Sequence, residues 1–193
     1  MDMAPANIPK KLQNLKNFTY QEALAYGLTK RKLEQLIRNE EVHRISRGIY
    51  AISAPEDENP SLAIACKIVG FPCAICLWSA LVYYDLTDEI DRETWVMAPI
   101  NRRITYKNIR LVRLKKPQWN IGIVMEKNYW VTTLERTVID CLIYPRFVGT
   151  RAATVALKRA IETKMTNISK LVETASQLNC LKKVYPRLEV FIE

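Results

Sequence analysis

The chain has 193 residues, enough for one domain or two small ones with a real core. Lys and Arg number 29 against 20 Asp and Glu, and the resulting formal charge of +9 favours a polyanionic partner. A hydrophobic share of 49%, with four Trp and nine Tyr, excludes a chain that is disordered throughout.

In chain order, the first strong signal is the stretch from Phe18 to Ile52. Thr19 is placed to cap a helix, and Glu22 three residues later completes a capping box. Ala23 and Leu24 recur at helical spacing, and Gly27 ends the run. Thr29 then caps a second helix, Lys30 to about Arg38, in which Leu33, Leu36 and Ile37 form one apolar stripe. At about 100° per residue, Arg31, Gln35 and Arg38 point away from that stripe, with Lys32 and Glu34 on its flanks. After Asn39 the period changes. Val42 to Ile45 and Ile49 to Ile52 are β-prone runs, and Ser46-Arg47-Gly48 between them has turn chemistry. Helix, turn, basic helix and hairpin follow each other in the order of a winged helix-turn-helix. Such a module presents a cationic helix and wing to a DNA groove. From Lys30 to Arg47 six basic residues face three acidic ones. Candidate DNA contacts are Thr29, Lys30, Arg31, Lys32, Gln35 and Arg38 on the helix, and His43, Arg44 and Arg47 on the wing. Arg and Gln suit the edges of guanine and adenine.

Ala54-Pro55-Glu56-Asp57-Glu58-Asn59-Pro60 reads as a linker. The expected organisation is a winged helix-turn-helix over 1–53, a linker over 54–60 and an α+β domain over 61–193. In the last of these, helices are expected over Leu62–Val69 and about Ala74–Tyr84. Strands are expected at Trp95–Ala98, Ile109–Leu114, Ile121–Met125 and Tyr129–Thr132, with Lys127-Asn128 as a turn. Thr133 caps a helix to about Tyr144 that Pro145 ends, and helices over Ala152–Thr163, Ile168–Leu178 and near Leu188 finish the chain.

Met1 to Lys16 lacks the positive start and apolar run of a secretory signal. The most apolar stretch, Ser61 to Leu86, is broken by Lys67 and by Gly70-Phe71-Pro72, so neither half reaches the roughly 18 residues of a membrane span. Five scattered cysteines fit buried thiols of a reducing compartment. A cytoplasmic protein without a membrane partner is the expectation.

Sites for chemistry are sparse. Cys73-Ala74-Ile75-Cys76 has the spacing of a zinc or redox pair, but no second pair or nearby His completes it, and core thiols at a buried helix start are the better reading. Asp85, Asp88, Glu89, Asp91 and Glu93 crowd one segment, as metal-dependent nucleases require, although a solvated loop is the ordinary explanation. His43 is the only histidine, so Ser79 lacks a triad, and no Gly-rich phosphate loop occurs. No catalytic residue, metal or cofactor is expected. Asn101 to Lys116 differs in carrying Arg102, Arg103, Lys107, Arg110, Arg113, Lys115 and Lys116 with no acid. Two readings stay open for it: the exposed face of an edge strand, where Lys and Arg discourage aggregation, or a second phosphate-binding surface.

Several stretches together suggest a family. GLTKRKLEQLIRNEEVHRISRGIYAI resembles the N-terminal winged helix of AbiEi-type antitoxins from bacterial type IV toxin–antitoxin systems. LWSALVYYDLTDE (Leu77–Glu89), VTTLERTVIDCL (Val131–Leu142) and ALKRAIETKMTNISKLVETASQLN are similar to later segments of the same proteins. The resemblance implies a DNA-binding antitoxin that represses its own operon at inverted repeats in double-stranded promoter DNA. It also implies a co-encoded nucleotidyltransferase-like toxin, counteracted with help from the second domain. By position, DNA contacts fall on Lys30, Arg31, Gln35, Arg38, Arg44 and Arg47. Ser79, Glu135, Arg136 and Asp140 match recurring family positions that a cap and a buried ion pair also explain. In a related group a restriction-endonuclease fold follows the winged helix, and this chain ends too soon after its ERT…D helix to hold one. The alternative is a winged-helix regulator of another operon with a ligand- or partner-binding second domain.

Overall fold

A computed structural model describes residues 8–15, 17–52, 62–90, 92–114, 118–126 and 129–191. The chain divides into two compact units, Met1–Pro60 and Ser61–Glu193. The segment expected to be a linker, 54–60, lies outside the described residues, as do Asp91, Lys115, Lys116 and the Lys127-Asn128 turn.

The first unit runs α1 (Lys10–Gln13), β1 (Asn17–Thr19), α2 (Tyr20–Ala25), α3 (Lys30–Arg38), β2 (His43–Ser46) and β3 (Ile49–Ala51). The strands form an antiparallel sheet in the order β1-β3-β2. The α1 helix and the β1 strand have no counterpart in the sequence reading. Thr19 ends β1 and caps α2 through a complete capping box with Glu22. Phe18 of β1 lies opposite Tyr50 of β3, the two rings stacked at 5.8 Å. Leu12, Ala23, Leu28, Leu33, Leu36 and Val42 close the core around this pair. Each such Leu or Val side chain contributes about 1.5–3 kcal/mol when taken out of water.

The second unit holds α4 (Leu62–Val69), β4 (Ala74–Ile75), α5 (Leu77–Tyr83), β5 (Thr94–Pro99), β6 (Ile109–Leu114), β7 (Ile123–Glu126) and β8 (Tyr129–Thr132). Then come α6 (Leu134–Ile143), α7 (Pro145–Val148), α8 (Thr150–Glu162), α9 (Ile168–Gln177) and α10 (Leu181–Leu188), with a 3-10 turn at Glu189–Phe191. The sheet order is β6-β5-β4-β8-β7. β5 and β6 run parallel, as do β4 and β8, whereas β4/β5 and β7/β8 are antiparallel. Trp95 and Met97 of β5 point into a core shared with α5 and α6–α10, while Val96 and Ala98 point into a smaller one under α4. That alternation is the two-residue period of a strand covered on both faces.

The α+β class expected from the sequence is the observed one, with two sheets and helices closing the chain. Two expectations need correction, and one holds with an addition. The helix expected over Ala74–Tyr84 begins only at Leu77, because Ala74 and Ile75 form the central strand and Cys76 occupies the N-cap. Pro145 does follow the end of α6, but it also opens α7, where its missing N–H costs nothing. The piece near Leu188 is a full helix that contains Pro186. Among the described residues no helix is long and apolar enough to cross a membrane.

Candidate nucleic-acid interface

The geometry of α3 follows from its two ends and its stripe. Thr29 is extended (φ −76°, ψ 157°), and its hydroxyl accepts the Lys32 N–H at 3.2 Å. Leu33 and Leu36 are buried and Ile37 is half-buried, so the helix can sit in one orientation only. Lys30, Arg31, Glu34, Gln35 and Arg38 are consequently exposed, and Lys32 is half-buried on the flank. The free N–H groups of the helix start add a positive partial charge to the same side as Lys30 and Arg31.

The hairpin carries further cations. Arg44 and Arg47 are exposed and His43 is half-buried. The register shifts between Arg44 and Ser46, a bulge that turns the strand just before the tip. Gly48 takes φ +80° at that tip, and its carbonyl accepts the Tyr20 N–H at 2.8 Å, tying the hairpin to the start of α2. Among the described residues, no side-chain hydrogen bond or ion pair engages Lys30, Arg31, Gln35, Arg38, Arg44 or Arg47. These groups are presented to solvent rather than used to build the unit.

The second basic segment is different. β6 is an edge strand, with Arg110 and Arg113 exposed on it. Arg110 lies over the Trp95 ring at 4.6 Å and meets Glu93 at 3.5 Å. Arg102 donates to the Phe71 carbonyl at 2.9 Å, and Arg103 to the Ile100 carbonyl at 2.8 Å. Lys107 is exposed in the turn before β6. The segment therefore combines edge-strand protection with local ties, and its cations do not form one row.

The remaining candidates have structural employment. Cys66, Cys73, Cys76, Cys141 and Cys180 are all buried and unpaired by disulfides. Hydrogen bonding to Cys73 and then burial push the Cys66 thiol up, while the same bond holds Cys73 down. Burial raises the Cys76 and Cys141 thiols. Ser79 accepts the Trp95 N–H at 2.7 Å and so joins α5 to the sheet. In the acidic loop Asp88 pairs with Arg159 at 2.9 Å, and the Thr87 hydroxyl accepts the Glu89 N–H. Among the described residues no group of three His, Cys, Asp or Glu is placed to hold a metal.

The ERT…D segment makes a buried polar knot. Thr133 caps α6 by accepting the Arg136 N–H at 3.2 Å. Arg136 Nε donates to Asp140 at 2.8 Å, and its Nη1 donates to the Ile121 carbonyl at 2.8 Å. Gly122, at φ +59°, lies so close that an added Cβ would stand 2.6 Å from the Arg136 Cβ. Glu135 accepts from the Thr166 hydroxyl at 2.8 Å, fastening α6 to the loop before α9. Burial raises the Asp140 carboxyl to about 6, and the attraction of Arg136 offsets this only in part.

No family model and no curated protein matches the chain. Among solved structures it is similar to the RV2827C protein from Mycobacterium tuberculosis, with a TM-score of 0.57 and 12% identity over 97% of this chain and 78% of that one. At that identity the likeness is one of fold.

Proposed function

We propose that the first unit is a winged helix-turn-helix that reads duplex DNA. We further propose that the chain is the DNA-binding antitoxin and autorepressor of a bacterial type IV toxin–antitoxin operon. The observation that carries the first part is the unengaged face of α3, where Arg31, Gln35 and Arg38 stand exposed, in a unit whose hairpin also exposes Arg44 and Arg47. In this reading α3 enters the major groove, Arg31, Gln35 and Arg38 meet base edges, and Lys30, Arg44 and Arg47 hold flanking phosphates. Inverted repeats in the promoter would then be bound by two copies. The antitoxin assignment rests on the sequence resemblance. The second unit counteracts a co-encoded nucleotidyltransferase-like toxin, and the chain acts by binding, without catalysis or cofactor, in the cytoplasm.

A second reading, a regulator of another operon that senses a ligand, draws on an open cleft of about 670 Å³ among Trp78, Thr87, Asp88, Val148 and Arg151. That volume is in the range of small-molecule sites. Expressing the neighbouring reading frame alone and together with this chain separates the two. Under an unrelated promoter, Arg31→Ala/Arg38→Ala should still rescue growth while losing repression of a reporter fused to the native promoter. Growth that is unaffected by the neighbouring gene, or never restored by this chain, would remove the antitoxin assignment.

A further inference from the structure

One end of the five-stranded sheet gathers exposed aromatic and aliphatic groups beside cations. Phe71, in the turn before β4, is 73% exposed, and its ring lies 6.0 Å from that of Trp130 at an angle of 49°. Met125 is the cross-strand partner of Trp130 and is 60% exposed. Side chains paired in this way share a face of the sheet. The neighbouring Glu126 belongs to the opposite face by strand alternation. The loop from β5 to β6 supplies the charge. Arg102 reaches the Phe71 carbonyl with Nη2, using one of the five N–H donors a guanidinium carries. Arg103 is exposed, and its Nη1 donates to the Ile100 and Arg102 carbonyls, which fixes its direction.

Phe71 and Met125, both exposed and joined through Trp130, make a contiguous apolar patch rather than a lone surface ring, and such patches mark binding sites. The Arg102 guanidinium held on the Phe71 carbonyl, with Arg103 next to it in the chain, narrows the choice of partner to an anion with a flat apolar face. Unpaired nucleotides have both parts, a base to stack and a phosphate to pair. A duplex hides its bases and offers only the phosphate.

We propose that this sheet end binds single-stranded nucleic acid, with a base stacked on Phe71 and the flanking phosphates held by Arg102 and Arg103. The residues of this site belong to the second unit and those of the α3 face to the first, so the proposal stands or falls independently of duplex recognition. The test is an anisotropy titration of fluorescein-labelled oligouridylate with the full chain. Saturable binding is expected, weakened by at least about fivefold in Phe71→Ala and retained in Phe71→Trp. Arg103→Ala, at an exposed position, should lower the salt dependence by about 0.7 in log–log slope. The loss caused by Phe71→Ala should be the same in an Arg31→Ala/Arg38→Ala background, which removes the contribution of α3. Absence of saturable binding at low salt, or equal binding with and without the Phe71 ring in that background, would overturn the proposal. Equally effective displacement by oligoglutamate would also overturn it, since charge alone would then account for the contact.

Discussion

Helices α3 and α6 begin alike and use their arginines in opposite ways. In each a threonine hydroxyl accepts the N–H three residues on, from Lys32 to Thr29 and from Arg136 to Thr133. α3 is apolar along one stripe, so Arg31 and Arg38 are delivered to solvent without a partner among the described residues. α6 is buried on nearly every side, and inside it Arg136 donates hydrogen bonds to Asp140 and to the Ile121 carbonyl. A charge on a one-sided helix is available to another molecule, whereas a charge on a covered helix must be satisfied within the fold. The same residue type is thus left to solvent in one unit and built into the fold in the other.

The sharpest way to break the comparison is to orphan the inner arginine. Asp140→Ala should cost about 3–5 kcal/mol in denaturant unfolding, because it leaves a buried guanidinium uncompensated. Arg31→Ala should stay within about 0.5 kcal/mol of the parent. Similar losses in the two variants would show that the two helices do not differ as described. Gly122→Ala comes next. Its new Cβ would meet the Arg136 stem at 2.6 Å in a left-handed backbone, so a loss of about 1–3 kcal/mol is expected. A neutral result would mean that the segment before β7 yields without cost.

The pH profile sharpens the point further. Folding raises the Asp140 carboxyl from 3.8 to about 6, so the folded state holds this proton more tightly than the unfolded chain. Its stabilising contribution is complete below the unfolded value and disappears as pH rises through the folded one. The melting temperature of the parent relative to Asp140→Asn should therefore fall between about pH 4 and about pH 6 and level off above. A constant difference across that window would contradict the raised carboxyl. The smallest effect concerns the outer helix: Thr29→Ala removes one cap and should cost about 1 kcal/mol, read from the unfolding midpoint.

Much of α3 was legible because every local signal agreed. Thr29, the Leu33–Leu36–Ile37 stripe and the period change after Asn39 place the helix and its exposed face without tertiary information. β4 was not legible, since two buried residues between cysteines show neither alternation nor length. β1 escaped for a similar reason: it has only three residues, and its role is to pair with β3, about thirty positions away. The basic segment from Asn101 was half-read. Composition allows an edge strand as one of two readings, but the engagement of Arg110 with Trp95 and Glu93, and of Arg102 with Phe71, depends on neighbours that chain order conceals. The polar knot of α6 was visible as Arg136 and Asp140 at i, i+4, while Gly122 lacked any local mark of its part.

The outward face of α3 is where DNA recognition is tested most directly. An anisotropy titration compares the duplex lying upstream of the protein's own gene with a scrambled duplex of equal length. The chain should prefer the native duplex, and Arg31→Ala/Arg38→Ala should weaken that binding at least about tenfold with an unchanged melting temperature. Equal affinity for the two duplexes, or undiminished binding by the variant, would contradict the claim that this helix reads DNA.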